Sequence, residues 1–177
     1  MSSPSAYRIQ LQLGDLTLLK VDAIVNSTDQ SLLDGGPVHR AVHEAAGESL
    51  AKACEKVGHC NPGEVCLTPG YNLASSFVIH TVAPTWQGGH RGEREALASC
   101  YTSALELAFE RAFRTIAFPS LGSGLQPQIP LDQAAPVAIH AILQFLDHHP
   151  LPEKVVLACY DAPTYHAYQT VLRGMLP

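Results

Sequence analysis

The sequence predicts an α/β fold in three layers, with helices on both faces of a mixed, mostly parallel central sheet, and three observations carry that reading. Short continuous apolar runs recur along the chain, as expected of central strands covered on both faces. Between them the hydrophobic period changes from two to about 3.6, the mark of amphipathic helices. Small-residue loops follow two of the apolar runs, where ligands of such sheets bind.

Taken in order, residues Tyr7 to Leu13 alternate Ile9, Leu11 and Leu13 against Arg8, Gln10 and Gln12, an edge strand with one buried face. Ala23-Ile24-Val25 is the first central strand. Val38, Val42, Ala45, Ala46, Leu50, Ala53 and Val57 then form one helical stripe. Glu64 to Thr68 reads as a strand pairing near the central ones, and Phe77-Val78-Ile79 as another central strand. A second stripe, Leu97, Tyr101, Ala104, Leu105, Ala108 and Ala112, leaves Glu93, Glu95, Glu106 and Glu110 on other faces. Thr115 to Phe118 is a further strand. Asp132 is expected to cap a third helix running toward Phe145 and Leu146, with Pro136 near its first turn. Val155 to Ala158 is the last strand, and Ala162 to Leu172 the last helix.

With 177 residues, 46% hydrophobic and 15% charged, the chain has apolar material for one good core, and a single domain over 1–177 is expected. Its start lacks the basic end and apolar run of a signal peptide, and no apolar stretch approaches the roughly 20 residues of a membrane span. A soluble cytoplasmic protein is therefore expected. The cysteines, Cys54, Cys60, Cys66, Cys100 and Cys159, are odd in number and mostly embedded in apolar patterns, which argues against a disulfide scaffold. His39 and His43 lie four apart on one helix face and His59-Cys60 follows, but the further ligands a zinc site needs are missing, so no metal and no cofactor is expected.

A formal net charge of −5 argues against nucleic acid as the main partner. Any bound anion must then be held chiefly by backbone N–H groups and helix dipoles. Two loops supply such donors. After Ala23 to Asn26 and the polar turn Ser27-Thr28-Asp29-Gln30 come Gly35-Gly36-Pro37-Val38, where glycines let the backbone approach a ligand and Pro37 suits a first helical position. After Thr115 to Phe118 come Pro119-Ser120-Leu121-Gly122-Ser123-Gly124. With Tyr160-Asp161 after the last strand, three loops are expected to converge on one cleft suited to two linked phosphates. A dehydrogenase is not expected, because no Gly-x-Gly-x-x-Gly joins a first strand to a helix with an acid about 20 residues on. No cysteine stands beside a glycine loop to serve as a nucleophile.

Six ordered segments, Gly14 to Thr17, Asp22 to Asn26, the double-glycine loop, Pro69 to Leu73, Val78 to Pro84 and Ile116 to Ser120, resemble the macrodomains, the ADP-ribose-binding modules. The resemblance runs from about Leu13 to Leu172. Cys60-Asn61-Pro62-Gly63-Glu64 and Pro69-Gly70-Tyr71-Asn72 look most like the branch of mono-ADP-ribosyl and O-acetyl-ADP-ribose hydrolases. It implies that Asp15 accepts from the adenine amino group, with the Leu16 backbone reading the ring, where the alternative is a turn-forming Asp. It also implies that Tyr160 stacks on adenine, against the alternative of an ordinary core-edge tyrosine. Asn26 would address the distal ribose or the adjoining loop. Gly35, Gly36 and Val38 would meet the pyrophosphate from one side, and Gly122, Ser123, Gly124 and Leu125 from the other.

The chain departs from the hydrolase pattern in both loops. Asp29 stands where that branch has its second asparagine, Pro37 replaces a glycine, and His39 replaces the aspartate linked to catalysis. Gln126 replaces the aromatic that packs over the distal ribose. His39 would be a replacement general base or a cation pairing with phosphate, and Asp29 would place a negative charge beside the ribose. The partner implied is ADP-ribose, free or attached to a protein or metabolite, bound with or without hydrolysis, and no membrane is implied. An enzyme acting on another nucleotide or a phosphorylated sugar is the alternative.

Overall fold

A computed structural model describes residues 2–124 and 126–176. Six strands, β1 (Ile9–Leu13), β2 (Ala23–Ser27), β3 (Val65–Pro69), β4 (Phe77–Thr81), β5 (Thr115–Phe118) and β6 (Lys154–Cys159), form one sheet in the order β1-β6-β5-β2-β4-β3. Every neighbouring pair is parallel except β3 with β4. The mixed, mostly parallel sheet expected from the sequence is what forms, with the alternating segment β1 at one edge.

The continuous apolar runs serve both faces at once. Ala23, Val25, Ile116, Phe118, Val155 and Leu157 face one core, with helices α3 (Glu93–Glu110), α4 (Leu131–Leu146) and α5 (Ala162–Arg173). Ile24, Val78, Ala117, Val156 and Ala158 face the other, with helices α1 (Pro37–Ala46) and α2 (Glu48–Val57). Alternation at period two inside an all-apolar run is what separates the two cores.

Two expectations are corrected here. The single stripe from Val38 to Val57 is two helices, because Gly47 at φ +87° turns the chain between them and Ala46 gives its carbonyl to the Asn72 N–H. Val42, Ala46 and Leu50 are its buried members, with Cys54, outside the expected stripe, buried beside them, while Ala45 and Val57 are exposed. The third expected helix, α4, has Pro130 as its N-cap rather than Asp132, which lies in the first turn, and Pro136 sits inside the helix. Its missing N–H releases only the carbonyl of Asp132, an exposed residue. Among the described residues no helix is long and apolar enough to cross a membrane.

Candidate functional site

The parallel arrangement sends the chain out of β2, β5 and β6 at the same end of the sheet, and the three loops meet there. A cleft of about 440 Å³ is lined by Pro37 and Val38 from the first loop, Ser123 and Gly124 from the second, and Tyr160 and Asp161 from the third. The convergence expected from the sequence is present.

The two glycine loops touch. A Cβ placed on Gly36 would lie 2.5 Å from the Gly124 carbonyl oxygen, so only glycine allows this approach. Gly36 is the N-cap of α1, which has no side-chain cap, and Pro37 is its first residue. The helix therefore offers its backbone N–H groups and positive dipole end beside the cleft. Gly35 differs from its neighbour, since its N–H is taken by the Asp34 carboxylate at 2.8 Å. Asp161 caps α5 through the Thr164 N–H and closes that helix end.

The second loop is anchored from below. Gly122, at φ +85°, accepts the Ile129 N–H, and the Ser123 hydroxyl donates to the Ser120 carbonyl at 2.6 Å. Two fully buried tyrosines hold its start: the Tyr101 hydroxyl accepts the Leu121 N–H, and the Tyr168 hydroxyl lies 3.0 Å from Ser120 Oγ and 3.4 Å from the Tyr101 hydroxyl. Burial raises the pKa of both phenols, so they remain neutral. The sequence shows Tyr101 only as one member of an apolar stripe, and nothing in its spacing pairs it with Tyr168. Leu125 lies outside the described residues. Gln126 is exposed, and among the described residues the glutamine lining the cleft is Gln128.

Asp15 caps a short 3₁₀ turn, Leu16–Leu18, its Oδ1 accepting from the Thr17 N–H and hydroxyl. Tyr160 is half exposed on the cleft, and burial together with the nearby Asp15 carboxylate raises its phenol pKa. Asp15 is thus a neighbour of Tyr160, which lines the cleft, without itself being among the lining residues. The Leu16 side chain is buried in the core.

The other predicted residues lie elsewhere. Asn26 is fully buried, and its Nδ2 donates to His39 Nδ1 at 3.3 Å and to His80 Nδ1 at 3.2 Å, β2 and β4 pairing Asn26 directly with His80. On its other side His80 Nε2 is hydrogen-bonded to Thr68 Oγ1 at 2.9 Å. His39 is 4% exposed and lies against His43, the rings tilted by 34° with centroids 4.2 Å apart. Burial lowers the pKa of all three histidines, to about 4 for His43 and about 3 for His80, the neighbouring histidines adding to the shift for those two. His39 is therefore a neutral, hydrogen-bonded ring under the first loop. Asn26 Oδ1 and His43 Nε2 are buried without a hydrogen-bond partner.

Asp29 lines a second cleft, of about 660 Å³, with Gln30, Ala83, Pro84, Gln87 and Arg91 among the other lining residues. Its Oδ1 accepts from Ser31 N and Oγ and from Asp34 N, which shapes the first loop and holds the buried Leu32 at φ +66°. One loop thus serves both clefts. Glu93, expected on an outer face, is instead 4% exposed and accepts the N–H groups of Gln87, Gly89 and Arg91. The glycines Gly88, Gly89 and Gly92 ahead of an acidic first turn are the signal that marks it. Among the described residues no group of three or more metal-ligating side chains is assembled.

Fold and site together define an α/β protein with an anion-accepting cleft at the strand ends. The chain belongs to the Macro domain family, whose profile matches residues 25–138. A Macro domain-containing protein of Chlorobaculum tepidum is 48% identical over 169 residues, 96% of this chain and 98% of the relative. An O-acetyl-ADP-ribose deacetylase of Salmonella gallinarum is 43% identical over 93% of this chain and 94% of its own. A Trypanosoma brucei macrodomain in complex with ADP-ribose superposes with a TM-score of 0.85 at 33% identity, covering 92% of this chain and 68% of that one.

Proposed function

We propose that this macrodomain binds ADP-ribose, free or attached to a protein or metabolite. The observation that carries the reading is the contact of Gly36 with Gly124 at the uncapped start of α1, which brings two sets of backbone donors to one place in a chain of net charge −5. Adenine lies at the Asp15 and Tyr160 end of the first cleft. The diphosphate lies at the loop contact, with Gly36, Val38, Ser123 and Gly124 around it. The distal ribose enters the second cleft, beside Asp29. Calorimetric titration with ADP-ribose and AMP tests this, and tighter binding of ADP-ribose is expected because AMP reaches one cleft only. Equal affinities would remove the second cleft from the reading.

A second reading, hydrolysis at the distal ribose, is favoured by Asp29 lining the second cleft and by the relatives named O-acetyl-ADP-ribose deacetylase. Water attack on an acyl ester needs a base near the acyl carbon. Asp29 has Oδ2 for that water while Oδ1 holds the loop. His39 then acts by holding the first loop against Asn26 and not as a base. Acetate release from O-acetyl-ADP-ribose should fall about a hundredfold in Asp29→Ala, within the usual range for a lost general base, with ADP-ribose affinity retained. Full activity in that variant would clear Asp29 of the role.

A further inference from the structure

We propose that Glu93 is a positioning residue for the distal end of the ligand, its buried carboxylate folding residues 86–92 into the wall of the second cleft that sets affinity for the distal ribose. The inference rests on the ADP-ribose reading above.

The segment between β4 and α3 has no regular structure to hold it. Glu93 supplies the hold, Oε2 accepting Gln87 N at 2.9 Å and Gly89 N at 2.8 Å while Oε1 accepts Arg91 N at 2.6 Å. Three amides can converge on one carboxylate because Gly88, Gly89 and Gly92 adopt φ values of +90°, +83° and +73°. Desolvation pushes the Glu93 pKa up, yet the backbone donors outweigh it and hold it at about 2, so the anchor stays charged at any working pH.

The loop so formed is not isolated from the phosphate-binding part. Trp86 N donates to the Pro127 carbonyl at 2.9 Å, joining the wall to the segment that follows the second glycine loop. Arg94 braces it on the outside, with Nη1 on the Gly89 carbonyl, Nε and Nη2 on Gln133 Oε1 of α4, and its guanidinium 5.2 Å from the Trp86 ring centroid. Gln87, Arg91 and Glu93 line the second cleft opposite the Asp29 and Gln30 side of the first loop. Gln87, Arg91 and Glu93 are not among the residues lining the first cleft, so the wall's direct contacts are with whatever enters the second.

Glu93→Gln keeps the side-chain volume but turns an NH₂ group toward backbone donors. The purified variant is titrated with AMP and with ADP-ribose by calorimetry, alongside wild type. AMP affinity should change less than about twofold, while ADP-ribose affinity falls about tenfold or more, the size expected for loss of one well-made polar contact. Arg94→Met removes the outer brace at an exposed position and should give a smaller loss in the same selective sense, which keeps the test decisive if Glu93→Gln fails to fold. Unchanged ADP-ribose affinity in the folded variants overturns the inference, as does an equal fall for AMP and ADP-ribose, which would mark Glu93 as merely structural. A wild type that does not prefer ADP-ribose to AMP overturns the underlying reading as well, and the wild-type titration alone distinguishes that case.

Discussion

At the scale of single residues, the site depends on positions where a side chain is forbidden. Gly36→Ala adds one carbon at 2.5 Å from a carbonyl oxygen, well inside van der Waals contact, so the two loops must part. ADP-ribose affinity should fall at least about tenfold, with a small change in melting temperature since Gly36 is outside the cores; titration and thermal melts check both. Asp15→Ala should weaken binding by about 1–3 kcal/mol if the adenine contact is a charge-assisted hydrogen bond. Glycine loops are legible in a sequence because glycine, proline and a strand end occur within a few residues of one another. His39 and Asn26 are not, because Asn26 meets His80 only through the pairing of β2 with β4, and His39 meets Asn26 only through the packing of α1 on β2. The spacing that places His39 in a helix says nothing of what lies under that helix. For the same reason Glu93 reads as a surface acid until the preceding loop folds over it.

At the scale of elements, apolar runs and helical patterns located the six strands and, as four helical segments, the five α-helices of the described residues to within a few residues, the break at Gly47 dividing the first segment. Period alone hides that break, because the apolar stripe continues in phase through the glycine while the backbone turns. Gly47→Ala places a side chain at φ +87°, against Asn72 Nδ2 at 2.9 Å, and should destabilise the protein by about 1–2 kcal/mol in urea melts. The second loop depends on the α3–α5 contact through Tyr101 and Tyr168. Tyr168→Phe removes one hydroxyl from that chain and should cost about 1 kcal/mol of stability, measured by the same melts.

At the scale of the whole molecule, three neutral histidines under the first loop tie the stability of the fold to pH. In the unfolded chain they titrate near 6.5, whereas in the folded one burial holds His80 near 3 and His43 near 4. Below 6.5 the unfolded state takes up protons that the folded state refuses, so stability is complete above that pH and declines as pH falls. His80 alone should contribute a slope of about 1.4 kcal/mol per pH unit until pH nears 3. Urea melts at pH 7 and pH 5 measure it, and flat stability between them would mean that the rings accept protons in place.

The first loop borders both clefts, Asp29 in one and Val38 in the other. A ligand long enough to enter both behaves as two tethered half-ligands. Once adenosine is seated, the sugar end meets its own pocket at a high effective concentration, and the diphosphate is the tether whose length must match the span. Affinity on this account resides in the covalent linkage as much as in either contact surface. AMP and ribose 5-phosphate supplied together would occupy the same two clefts and gain nothing from each other's presence, which makes the mixture the natural measure of what the linkage contributes.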